Sequence, residues 1–219
     1  MSERWPGEPT KLDELDEVED DEVEDDEIEE EEEPLAEEED ADEEPLLRAP
    51  GDQQHAEGEL DIPDDINVIE GEPDGTRRGV AIVASRYNGE ITNKLLASAL
   101  EELAEAGVRR EAITVMPVPG AFELPLAAMA LAKTRRFACV VALGCVVRGE
   151  TPHFEFIASE AASGLQLAAL ETGVPVAFGV LTVDVVEQAE ARVSKGAEAV
   201  RTALEMADAF AQLRASASR

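Results

Sequence analysis

Read as a succession of apolar and polar positions, the chain changes character at about residue 65. Beyond that point, short apolar runs alternate with helical periodicities. Ile66–Ile69 is a short strand candidate ahead of a turn over Gly71–Gly75. Gly79 to Ser85, reading GVAIVAS, is an apolar run of buried-strand length. Ile91, Leu95, Ala99 and Leu103, joined by Leu96 and Leu100, trace one face of a helix closed by Gly107. The pattern next predicts a strand over Ile113–Val118, ended by Pro117 and Pro119, and an Ala-rich helix over Leu124–Lys133. Ala138–Val147 is the most apolar run and predicts the central strand. A helix over Phe156–Leu170 closes around Gly173, a strand follows over Pro175–Thr182, and Val185–Leu213 reads as helical with an interruption at Gly196. Such alternation implies an α/β domain, a three-layer sandwich. Its mostly parallel four-stranded sheet is covered by helices on both faces.

In a parallel sheet the carboxyl ends of the strands share one edge, and the turns there converge on a cleft. The expected turns are Arg86-Tyr87-Asn88, then Pro119 to Glu123, then the stretch GCVVRGETPHFEF from Gly144 to Phe156. The last of these leaves the central strand through Arg148-Gly149-Glu150-Thr151-Pro152 and enters a helix, whose free N–H groups suit an anion. Tyr87 offers an aromatic face, Glu123 a carboxylate, Thr151 a hydroxyl, and His153 a proton carrier near neutral pH. The set suits a flat polar heterocycle together with a phosphate. Plainer readings stand beside these: Tyr87 as packing, Glu123 as a helix cap, Phe178 as core, Arg192 as a solvated charge, and His153 as a surface residue in a helix's first turn.

Charge alters the picture of the N-terminal part alone. Residues 1–76 hold 35 acidic and three basic residues, net −32, which leaves −1 of the total −33 for residues 77–219. Asp13–Glu44 is nearly continuous carboxylate and predicts a disordered acidic tail. Pro45–Pro63 reads as linker, so the expected division is tail and linker over 1–64 and one α/β domain over 65–219. The plain reading of such a run is a solvated tail; its sign is wrong for nucleic acid or anionic lipid, and a basic protein is the partner it could recruit. No targeting or membrane-spanning run is found, and Cys139 and Cys145, six apart on one strand, lie about 20 Å from each other. That is beyond disulfide reach, so both are expected as thiols in a cytoplasmic protein.

Five segments, in order, resemble the lumazine synthase family. They are Ser85-Arg86-Tyr87-Asn88, Val118 to Glu123, Leu143 to Gly149, Thr151-Pro152-His153-Phe154, and Gly173-Val174-Pro175-Val176 running to Phe178-Gly179. The similarity covers roughly Ile66 to Arg214 and not the acidic tail. It implies an enzyme, a transferase of riboflavin biosynthesis that needs no metal or organic cofactor. The reaction condenses 5-amino-6-(ribitylamino)uracil with 3,4-dihydroxy-2-butanone 4-phosphate. The products are 6,7-dimethyl-8-ribityllumazine, phosphate and water. By the resemblance, Tyr87 stacks on the pyrimidinedione, and Ala121, Phe122 and Glu123 hold the ribityl chain. Cys145, Val146 and Val147 present backbone to the pyrimidine. Glu150, through its backbone, and Thr151 bind phosphate, His153 transfers protons, Phe178 adds a second aromatic contact, and Arg192 holds the phosphate.

The resemblance also implies active sites between neighbouring subunits of a pentamer, with larger icosahedral assemblies within reach. Ile66–Ile69 would then add a strand to a neighbour's sheet. The loop after Arg192, Val193-Ser194-Lys195-Gly196, is several residues shorter than the family's usual one. Two other readings remain open at this point. One is a shell that carries cargo through the acidic tail; the other is a flavin or lumazine binder without synthase activity.

Overall fold

Residues 60–217 are described by a computed structural model. The acidic run, most of the linker and His55 lie outside the described residues. Four parallel strands form one sheet in the order β2-β1-β3-β4: β1 (Val80–Ser85), β2 (Ile113–Val118), β3 (Cys139–Val147) and β4 (Val176–Val183). Register runs Val80 to Ile113 and to Cys139 across β1, and Val140 to Val176 between β3 and β4. α1 (Gly89–Glu105) and α5 (Lys195–Ala217) pack on one face, α2 (Leu124–Lys133) and α3 (His153–Thr172) on the other. A short α4 (Val186–Glu190) follows β4. The expected three-layer α/β architecture is thus observed.

The inner strands read as unbroken apolar runs because both of their faces are covered. Ile82, Leu143 and Cys145 join Leu95, Leu103, Val200 and Leu204 in the core beneath α1 and α5. Val83, Val140 and Ala142 join Leu124, Ala161 and Leu165 beneath α2 and α3. Each large aliphatic buried this way contributes about 1.5–3 kcal/mol. Cys139 and Cys145 are both free and buried in this strand. Burial pushes the Cys139 thiol up to about 12 and raises that of Cys145.

Four boundaries differ from the pattern-based expectation. Pro117 does not end its strand; it pairs in register with Ala84 inside β2. β2 is an edge strand, where a missing N–H costs no ladder bond. α3 starts at His153, three residues earlier than expected. The last helical stretch breaks at residues 191–194 and not at Gly196, which lies inside α5. A Cβ at Gly196 would sit 2.1 Å from the Leu95 carbonyl oxygen, so this glycine allows α1 and α5 to touch. Ile66–Ile69 forms no strand within the chain, and Ile66, Val68 and Ile69 are exposed. Extended backbone needs a partner, and this sheet's four strands do not include that segment.

The segment before β1 is lashed to the helical layer instead. Gln212 donates to the Glu70 carbonyl at 2.7 Å, the Glu72 N–H to Asp208 at 3.2 Å, and the Gly75 N–H to the Ala106 carbonyl at 2.8 Å. Arg78 completes the strap through an ion pair with Asp208. No helix among the described residues is long and apolar enough to cross a membrane.

Candidate active site

The carboxyl ends of β1, β2 and β3 are tied to one another by backbone. The Arg86 N–H donates to the Val118 carbonyl at 2.8 Å and the Tyr87 N–H to the Pro119 carbonyl at 3.0 Å. Asn88 closes the other side: its Nδ2 donates to the Cys145 carbonyl at 2.9 Å. Asn88 has φ 55°, in the left-handed region, which Asn reaches more cheaply than most residues. Three turns are thereby held around one cleft of about 530 Å³. That volume is in the range of small-molecule sites.

Nine of the residues singled out in the sequence line this cleft. Tyr87 comes from the end of β1; Ala121, Phe122 and Glu123 from the turn after β2; Cys145, Val146 and Val147 from the end of β3; Thr151 and His153 from the turn into α3. Tyr87 is 74 % exposed and Phe122 55 % exposed, so neither is a packing residue of the single chain. The aromatic faces are open and apolar, a surface on which a flat ring gains both burial and ring electrostatics. Glu123 turns inward on its own loop, its Oε2 accepting from the Gly120 N–H at 2.9 Å. The carboxylate therefore shapes the turn's backbone; it does not cap α2, the role weighed for it, since that helix has no side-chain cap.

His153 is the first residue of α3 and is exposed. It lines the cleft with Thr151 and Gly149, at the start of a helix where the Glu155 N–H donates to the Pro152 carbonyl at 2.9 Å and the helix dipole's positive end lies. Glu150 belongs to the same turn but does not line the cleft; its side chain is exposed.

Besides Glu150, two expected residues are not brought to the cleft of their own chain. Phe178 lies within β4, opposite Ala142 and five residues before the strand's end. It is 48 % exposed, which overturns its plainer reading as core. Arg192 follows α4, with its Nη1 donating to the Gln188 carbonyl at 2.8 Å. β4 is the far edge strand, and the cleft spans the ends of the other three.

The cleft also contains residues to which pattern reading assigned no role: Asn88, Pro119, Gly120, Gly149, Phe154 and Ile157. Asn88 carried a usable signal, an Asn at a strand-to-helix turn. Phe154 and Ile157 are one helical turn apart on α3, and no local pattern separates them from ordinary core positions. Arg148, just before the turn, places its guanidinium 4.2 Å from the centre of the Phe154 ring. It also pairs with Asp184 and lies 3.6 Å from Glu155.

The family model described as 6,7-dimethyl-8-ribityllumazine synthase matches residues 78–211. The protein of that name from Nitratidesulfovibrio vulgaris (strain DSM 19637 / Miyazaki F) is 44% identical over 153 residues, 68% of this chain and 98% of that one. Its counterpart from Syntrophus aciditrophicus (strain SB) is 47% identical over 144 residues, 64% of this chain and 92% of that one.

Proposed function

The chain belongs to the 6,7-dimethyl-8-ribityllumazine synthase family, and we propose that its strand-end cleft is where the pyrimidinedione and the butanone phosphate meet. It is an enzyme of riboflavin biosynthesis, and family membership favours that over a role as a cargo shell. The reaction is the condensation of 5-amino-6-(ribitylamino)uracil with 3,4-dihydroxy-2-butanone 4-phosphate, by class a transferase reaction. One observation carries the assignment of the site: the exposed aromatic side chains of Tyr87 and Phe122 line one cleft together with Thr151 and His153.

In this reading the pyrimidinedione stacks on Tyr87 and meets the backbone of Cys145–Val147, and its ribityl chain runs along Ala121–Glu123. The phosphate sits at the start of α3, against the N–H groups and Thr151. The amine attacks the ketone with loss of water, phosphate leaves, and ring closure expels a second water. Each step moves a proton between nitrogen, carbon and oxygen, which one imidazole at His153 can do in turn. Holding both substrates in a single cleft removes much of the entropy barrier to a bimolecular step.

Phe178 and Arg192 enter as a neighbour's contribution. Neither lines the cleft of its own chain, so a ring of subunits would bring them to the cleft next door, with Arg192 holding phosphate by a planar fork. The domain unit is residues 65–219, and the acidic N-terminal segment is suited by charge to hold a basic protein, more weakly as salt rises. The direct test mixes purified protein with the two substrates and follows lumazine absorbance. Turnover well above the uncatalysed rate is expected, and product at only that rate would sink the synthase reading.

A further inference from the structure

The turn Gly149–Pro152, which carries Thr151 and leads into His153, has little packing to define it. A Cβ at Gly149 would meet nothing within 4 Å, and residues 148–153 are exposed. Arg148 brackets that turn from both sides. Its backbone N–H donates to the Val183 carbonyl at 2.9 Å, which fixes the residue to the sheet. Its side chain then reaches past the turn to the first turn of α3, stacking on Phe154 and approaching Glu155. A third contact, from Nε to Asp184, anchors the guanidinium to the connection after β4.

That connection leads on to Arg192. The Asp184 N–H donates to Gln188 Oε1 at 2.9 Å, and the Gln188 carbonyl accepts from Arg192 at 2.8 Å. We propose that Arg148 is a positioning residue for the phosphate-bearing substrate: anchored to Asp184, it sets the β3–α3 turn that carries Thr151 and leads into His153. The guanidinium's planar fork reaches an aromatic face and two carboxylates in three directions at once, which an ammonium cannot reproduce. Its pairs are half exposed, and pairs of that kind add little to stability. The fold does not need Arg148; the geometry of the turn does. The inference rests on the reading of this turn as the phosphate site.

The test compares Arg148→Met, Asp184→Asn and the double variant with wild type, varying each substrate separately. KM for the butanone phosphate should rise about 10-fold in each single variant, within the up to about 10²-fold cost of ångström-scale misplacement. KM for the pyrimidinedione should stay within about twofold and the melting temperature within about 2 °C, as loss of exposed pairs allows. The double variant should lose no more than the worse single one, because both act through one network. Equal losses toward both substrates, losses that track a fall in melting temperature, or wild-type kinetics in Arg148→Met would each overturn the proposal. Absence of turnover in the wild type would instead refute the synthase reading itself.

Discussion

At the scale of single residues, the site is built from groups whose ordinary chemistry is left unmasked. Tyr87 and Phe122 are uncovered, and His153 is exposed at a helix start. The two cysteines behave oppositely: buried in the sheet, their thiols are pushed up and stay protonated near neutral pH. A thiolate is the reactive form, so Cys145 contributes backbone and volume to the cleft and no nucleophile. In the proposed reaction, proton transfer is assigned to His153. His153→Ala should lower turnover by up to about 10²-fold, the low end for general acid–base catalysis, with little change in binding of either substrate. Steady-state kinetics decide the matter, and an unchanged turnover number would show that water carries the protons.

At the scale of elements, two glycines do different work. Gly173 ends α3 with φ 64°, its N–H donating to the Ala169 carbonyl at 2.8 Å. A Cβ there would meet nothing, so substitution costs only the left-handed conformation, about 1–2 kcal/mol. At Gly196 the same Cβ would collide with the Leu95 backbone, which cannot swing aside as a side chain can. Gly196→Ala should therefore destabilise more than Gly173→Ala, up to about 3 kcal/mol by overpacking. Denaturant titration of the two variants ranks them, and a larger loss for Gly173→Ala would contradict the packing account. α5 is held at both ends: Gly196 near its start meets α1, and Asp208 further along receives the N-terminal strap.

At the scale of the whole molecule, the single chain leaves parts of the site and of the sheet unpartnered. Phe178 and Arg192 stand away from the cleft they are expected to serve. β2 and β4 are edge strands, and Ile66–Ile69 is exposed beside no strand of its own sheet. A head-to-tail ring would use these features together. The test mixes subunits of His153→Ala with subunits of Arg192→Ala in equal amounts during assembly. Random assembly should produce about a quarter of clefts with both groups intact if cleft and arginine come from different chains in a ring. A mixture no more active than the mean of its two parents would place Arg192 in its own chain's site.

The sequence alone determined the α/β class, the order of elements and the three turns that form the cleft. Apolar runs of strand length, helical periodicities and glycine or proline punctuation are local signals, and each predicts its element without knowledge of the rest. Tyr87, Phe122, Thr151 and His153 were legible because parallel strands must put their ends on one edge. Tertiary structure decided what local pattern does not encode. Pro117 stays inside a strand because β2 is an edge; Gly196 stays inside a helix because α1 passes close to it. Asn88 became a brace between β1 and β3, and Arg148 a clasp across a bare turn, through partners far away along the chain. Phe178 and Arg192 were separated from the cleft because β4 took the far edge, and strand order is set by packing between layers that no short stretch of sequence specifies.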